Sequence, residues 1–223
     1  MIAATLLGLV LVLVLPAYAL RPRGPDAVKR SLSTRLAVTT GEIAALVAAL
    51  ALIAPAVGLS FADLGLGWPL PRAGQIGMAI ALLLVGALSA TVMLMKPGQS
   101  PREQTALAEL PRGRRETALY LLFALAAGVG WEILYRDFLL WWLQPMIGLL
   151  GAIAAASVAY GLAHGWKSRA EGLGSIVSAF VFTVAFVETG SLWWLIAIHT
   201  ALPLVALLAG WRVRTRKIEA LPA

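Results

Sequence analysis

Three ionisable side chains in apolar surroundings carry the clearest chemical signal. Glu132, His164 and His199 each lie in or at the end of an apolar stretch, and the chain has two histidines in all. A charged group in the bilayer interior is costly unless it is paired or lines a cavity. A carboxylate with two imidazoles supplies what hydrolysis needs: a base that activates water, and groups that orient it or stabilise an oxyanion.

The same three side chains could instead bind a metal ion such as zinc, so a metal-dependent hydrolysis stays open beside a metal-free one. The chain contains no cysteine, which excludes thiolate ligands, disulfides and a cysteine nucleophile. If the glutamate and histidines act alone, no cofactor is required.

Arg136 follows Glu132 by four residues, a spacing that places both side chains on one face of a helix as an ion pair. A purely structural ion pair explains this spacing equally well. Asp137 falls on another face, and we expect it to approach the lipid headgroups. Glu42 has a simpler explanation, because residues 39–42 have the pattern of a capping box at a helix start.

Composition places these residues in a membrane protein. The 223 residues are 60% hydrophobic and 13% charged, and the mean hydropathy is +0.85. Soluble domains are closer to half apolar and a quarter charged. Several stretches are long enough to cross a hydrocarbon core of ~30 Å as helices. We therefore predict an all-α fold, a polytopic transmembrane bundle of about seven spans.

The spans are predicted at about residues 1–20, 40–61, 76–95, 117–142, 148–164, 173–186 and 192–209, with Gln144-Pro145 ending the fourth helix. Rows of small residues on the fifth helix, Gly148-Ala152-Ala156 and Gly151-Ala155-Ala159, favour a place inside the bundle. Counted at ~1.5 Å per residue, Glu132 and His199 fall nearer the outer face and His164 nearer the inner. A shared site therefore requires tilted or interrupted helices.

The net charge of +7 indicates membrane topology rather than nucleic-acid binding, because Lys and Arg lie between the apolar runs. This pattern predicts an amino terminus outside, a cytoplasmic carboxyl terminus, and residence in a plasma (inner) membrane. Basic residues follow the first apolar run instead of preceding it, so we expect a retained helix rather than a cleaved signal peptide. Lipid is the expected surrounding, and the oligomeric state is not predicted.

Three motifs, in order, resemble those of the CAAX-protease and bacteriocin-processing (CPBP, or Abi) family of intramembrane proteases. The segment from Trp131 to Leu139 resembles the motif E-E-x-x-x-R, the segment from Tyr160 to His164 resembles F-x-x-x-H, and Gly190-Ser191-Leu192-Trp193 with His199 resembles the third region. The resemblance implies a peptidase that cuts membrane-associated peptides or proteins, such as prenylated CAAX substrates. It implies catalytic roles for His164 and His199. Glu132 stands at the second glutamate position, where the resemblance implies a structural ion pair with Arg136, so a catalytic role for Glu132 requires that it has taken over as the base.

The chain departs from this pattern at two functional positions. Trp131 replaces the first glutamate, which is the family's expected base, and Pro203 replaces the asparagine four residues after the second histidine; the chain contains no asparagine. Loss of a base typically costs on the order of 10²–10⁴ in rate. The sequence therefore supports two functions: an endopeptidase that uses Glu132, or a catalytically impaired relative that binds a partner in immunity or regulation.

A proton-coupled transporter is a third interpretation, which rests only on the ionisable residues, since no inverted repeat is visible. We divide the chain into helices one to three with their loops (1–111), a CPBP-like core (112–210) and a basic cytoplasmic tail (211–223).

Overall fold

The computed structural model describes residues 1–21, 31–94, 110–166 and 168–219, with side chains described up to residue 214. Every long regular element within these ranges is a helix. The helices are α1 (Ile2–Leu20), α2 (Leu32–Ile53, extended by a 3-10 turn at Ala54–Val57), α3 (Arg72–Leu94), α4 (Arg114–Trp131), α5 (Leu139–Ala163), α6 (Arg169–Thr189) and α7 (Trp193–Glu219). A π-helical segment, Glu132–Phe138, joins α4 to α5.

Six helical segments of the described chain are long and apolar enough to cross a membrane. One of them, Arg114–Ala163, has 50 residues. At 1.5 Å per residue its length is about 75 Å, more than twice a hydrocarbon core of ~30 Å. It therefore accommodates two of the predicted spans, and the prediction of an all-helical polytopic bundle is confirmed.

Gly148 is the point at which this long segment reverses. Its backbone has φ 71° and ψ 167°, a conformation that is essentially restricted to glycine. Residues at equal distances on either side then meet: the Arg136 guanidinium lies 4.1 Å from the centre of the Tyr160 ring. The prediction that Gln144-Pro145 ends the fourth helix is wrong. Pro145 lies inside α5, because the chain turns at the residue that tolerates a positive φ.

Other helix ends also differ from prediction, because local caps decide them. Helix α2 begins at Leu32, where the Ser31 side chain accepts a hydrogen bond from the Thr34 amide at 3.2 Å. The prediction of a capping box at residues 39–42 is therefore wrong. Glu42 lies in the middle of the helix, and its side chain is exposed. Helix α6 begins at Arg169, after a similar cap at Ser168. Helix α7 continues to Glu219 instead of ending at Ala209.

Close helix packing forms the frame around the ionisable residues. Gly128 of α4 faces Thr200 of α7, where a Cβ atom would lie 2.0 Å from the threonine hydroxyl oxygen. Helix α1 packs on α5, and its Leu11 carbonyl accepts a hydrogen bond from the Tyr135 hydroxyl at 3.1 Å. The returning arm of α5 buries Ala152 and Ala156, as predicted, whereas Gly148 itself is exposed.

Candidate active site

The π-helical segment Glu132–Phe138 is the structural centre of the site. Each of its seven residues is buried. Single π-turns inside α-helices occur frequently at functional sites, because the wider turn changes which side chains share a face. Here the segment keeps Glu132 and Arg136 in contact inside the protein.

Glu132 has a partner on each carboxylate oxygen. Its Oε2 lies 3.2 Å from Arg136 Nε, and its Oε1 lies 2.7 Å from His199 Nδ1. Glu132 and Arg136 are each 2% exposed. The predicted ion pair between Glu132 and Arg136 is therefore present, and it is held within bonding distance of one of the predicted histidines.

His164 completes the cluster from the end of α5. Its ring centre lies 6.3 Å from that of His199, and its Nδ1 lies 3.2 Å from Tyr160 O. The inference that His164 lies at a different depth from Glu132 is wrong. Gly148 lies 16 residues after Glu132 and 16 residues before His164, so the reversal there brings the two to the same level.

The exposed fraction of the side chain decreases across the three predicted site residues. His164 is exposed beside the loop that leads to α6. The His199 side chain is 20% exposed, and the Glu132 side chain is 3% exposed. The carboxylate is therefore the most deeply buried of the three groups.

Tyr160 belongs to the site, although no functional role was predicted for it. In the motif F-x-x-x-H it occupies the phenylalanine position. The Arg136 guanidinium lies over its ring at 4.1 Å, and the His164 ring centre is 4.2 Å away. The edge of Tyr135 packs against it at 5.5 Å. The i, i+4 spacing from Tyr160 to His164 is the sequence signal for this contact, but the contact with Arg136 depends on the reversal at Gly148.

The two positions that depart from the family pattern lie beside the cluster. Trp131 is partly buried, with its ring 5.6 Å from Tyr135. Pro203 lies one turn after His199 in α7, and its carbonyl accepts a hydrogen bond from the Tyr120 hydroxyl at 3.2 Å. Because proline has no N–H, the carbonyl of His199 lacks its usual helical donor.

Asp137 differs from its predicted place near the headgroups. It is 5% exposed, and its Oδ2 has no hydrogen-bond partner among the described residues. It is therefore enclosed by protein. Glu188 lies at the exposed end of α6, away from the cluster.

The donor set does not form a metal site in this conformation. Within the described ranges, no three His, Asp or Glu side chains converge closely enough to hold a metal ion. Glu132 Oε1 and His199 Nδ1 face each other directly, and His164 Nδ1 faces a backbone carbonyl. We derive no step through a metal.

Fold and site together define a class of protein: a helical membrane protein with a carboxylate–imidazole cluster enclosed between its helices. Residues 113–205 match the family model described as type II CAAX prenyl endopeptidase Rce1-like. This match, from the start of α4 into α7, supports an assignment to the CAAX-protease (CPBP) family. Comparison with curated proteins and with solved structures gave no match in either case.

Proposed function

We propose that the protein is an active intramembrane endopeptidase that hydrolyses peptide bonds of membrane-associated or prenylated-type substrates. The observation that carries the proposal is the 2.7 Å contact between Glu132 Oε1 and His199 Nδ1, with the second imidazole 6.3 Å away from the first. A carboxylate that orients one imidazole, with another facing it, is a recurrent arrangement for hydrolysis.

Glu132 and His199 divide the activation of water between them. Glu132 Oε1 lies 2.7 Å from His199 Nδ1, whereas Oε2 is in ionic contact with Arg136 but has no hydrogen-bond partner among the described residues. Because the side chain is only 3% exposed, the carboxylate is poorly placed to take a proton from water directly. It accepts the Nδ1–H of His199 instead, which leaves Nε2 of that ring as the base. Glu132, which the sequence analysis assigned as the base, then acts by orienting His199 and stabilising its protonated form.

His164 helps to place the attacking water. Its Nδ1–H donates to Tyr160 O, which fixes the ring and leaves Nε2 as an acceptor that faces the cluster's second imidazole. This nitrogen can accept a hydrogen bond from the attacking water and so orient it for His199.

Arg136 is the ionic partner of the buried carboxylate. Its guanidinium is held between Glu132 and the Tyr160 ring, so both partners of the ion pair are fixed in position. A charged glutamate can accept from His199 Nδ1–H and stabilise the imidazolium formed during proton transfer.

Cleavage of a panel of membrane-anchored and prenylated peptides by purified protein tests this function. His164→Ala should lower cleavage by on the order of 10²–10⁴, the range for removing a group that takes part in activating water. His164 is exposed, so its truncation should leave the fold intact. Glu188→Gln, which changes an exposed carboxylate outside the cluster, should retain native activity.

The impaired-relative interpretation makes the opposite prediction. A native protein without turnover on the whole panel, which gains activity when Trp131→Glu and Pro203→Asn are introduced together, would support that interpretation and contradict ours.

A further inference from the structure

A cavity of about 800 Å³ lies between α4 and α7 at the end of the bundle remote from Glu132. One wall consists of Ala118 and Leu121 from α4, and the other of Leu204, Leu207 and Leu208 from α7. At the end nearest the start of α4, Leu110 packs against Gly210, and both residues are buried. The walls that α4 and α7 contribute are mostly apolar.

Three arginines line this cavity near the start of α4. Arg112 and Arg114 are exposed, and Arg214 is partly buried. The Arg214 guanidinium donates to Pro111 O at 2.5 Å and to Leu110 O at 3.1 Å, which anchors the chain just before α4.

The rim carries a net positive charge. None of the described lining residues is acidic. The nearest carboxylate on α4, Glu116, accepts a hydrogen bond from the Arg112 amide at 2.9 Å. Trp211, which is 61% exposed, lies on the same rim, and tryptophan is enriched where membrane helices meet the headgroups.

We propose that this cavity binds an anionic phospholipid, with its phosphate at Arg112 and Arg114 and an acyl chain along the α4–α7 wall. Cationic side chains above an apolar cleft between transmembrane helices complement an anionic headgroup with its tail. The cavity volume is in the range of small-ligand sites, ~300–1,000 Å³. The site is separate from the Glu132–His199 cluster, so the proposal does not depend on catalysis.

Native mass spectrometry and nanodisc titration of the purified full chain test it, with phosphatidylglycerol and phosphatidylcholine of identical acyl chains as probes. Phosphatidylglycerol should be retained preferentially. The double variant Arg112→Gln, Arg114→Gln should weaken its binding by about 30-fold, since each cation near an anionic lipid surface contributes a several-fold factor. Arg115→Gln is the matched control, because Arg115 is exposed in the same turn but does not line the cavity.

A second pair of variants tests the acyl wall. Ala118→Phe fills the cavity and should reduce retention, whereas Leu122→Phe, at a neighbouring 52% exposed position outside it, should not. Equal retention of the two lipids would overturn the proposal. So would loss of retention that is the same in Arg115→Gln as in the double variant, or competition by soluble glycerol phosphate as strong as by the lipid.

Discussion

Glu132 and His199 are 67 residues apart in the chain, and their side chains meet at 2.7 Å between Oε1 and Nδ1. Two close packings produce this contact. The π-helical segment buries Glu132 at the end of α4, and Gly128 lets α7 approach α4 one residue beyond His199, at Thr200. The site therefore depends on the spacing between α4 and α7 as much as on the ionisable groups themselves.

Gly128→Ala should disrupt the site without changing any ionisable group. The added Cβ would lie 2.0 Å from Thr200 Oγ1 and 2.8 Å from its backbone nitrogen, so the two helices must separate. Overpacking of this kind costs about 1–3 kcal/mol. We expect a lower midpoint of thermal unfolding and reduced cleavage. Gly86→Ala, on α3 with nothing within 4 Å of the new atom, should leave both quantities close to native, and equal effects of the two variants would count against this packing argument.

The ion pair of Glu132 and Arg136 should show strong coupling in stability measurements. Both residues are 2% exposed, and removal of one partner leaves an uncompensated buried charge. Glu132→Gln or Arg136→Met alone should therefore destabilise the fold by about 3–5 kcal/mol.

The double variant Glu132→Met, Arg136→Met should recover most of that loss, because no buried charge remains. The free energy of unfolding in detergent provides the measurement. Additive losses in the double variant would mean that the two charges do not compensate each other.

Gly148→Ala tests the chain reversal that brings Glu132 and His164 to the same depth in the helical bundle. No atom lies within 4 Å of the added Cβ, so the expected cost of about 1–3 kcal/mol is backbone strain alone. We expect a lower midpoint of thermal unfolding and reduced cleavage. Gly174→Ala, in open space on α6 with an ordinary helical backbone, is the control, and a native midpoint with native cleavage in Gly148→Ala would contradict the role of the turn.

The sequence predicted what depends on composition and periodicity. Apolar length predicted the helices, and the i, i+4 spacing predicted the contact between Glu132 and Arg136, which the structure confirms. Because ionisable groups are rare in apolar segments, the few that occur there could be identified as site candidates, and the structure brings them together in the cluster.

The errors arose where a local cap or turn competes with a plausible alternative. Ser31 caps α2 earlier than the signal at residues 39–42, and Gly148 turns the chain beyond Pro145. The turn therefore lies three residues later than predicted. This difference brings His164 to the same depth in the bundle as Glu132. The role of Tyr160 could not be found from one sequence, because its contact with Arg136 joins the two arms on either side of Gly148.

The central claim is that His199 is the base of a peptidase and is oriented by Glu132. The most direct test measures kcat/KM for a cleaved membrane-anchored peptide in native protein and in His199→Gln, with folding checked by thermal unfolding. The account predicts that kcat/KM falls by on the order of 10²–10⁴ while substrate binding is retained. Native kcat/KM in a folded His199→Gln protein would contradict it.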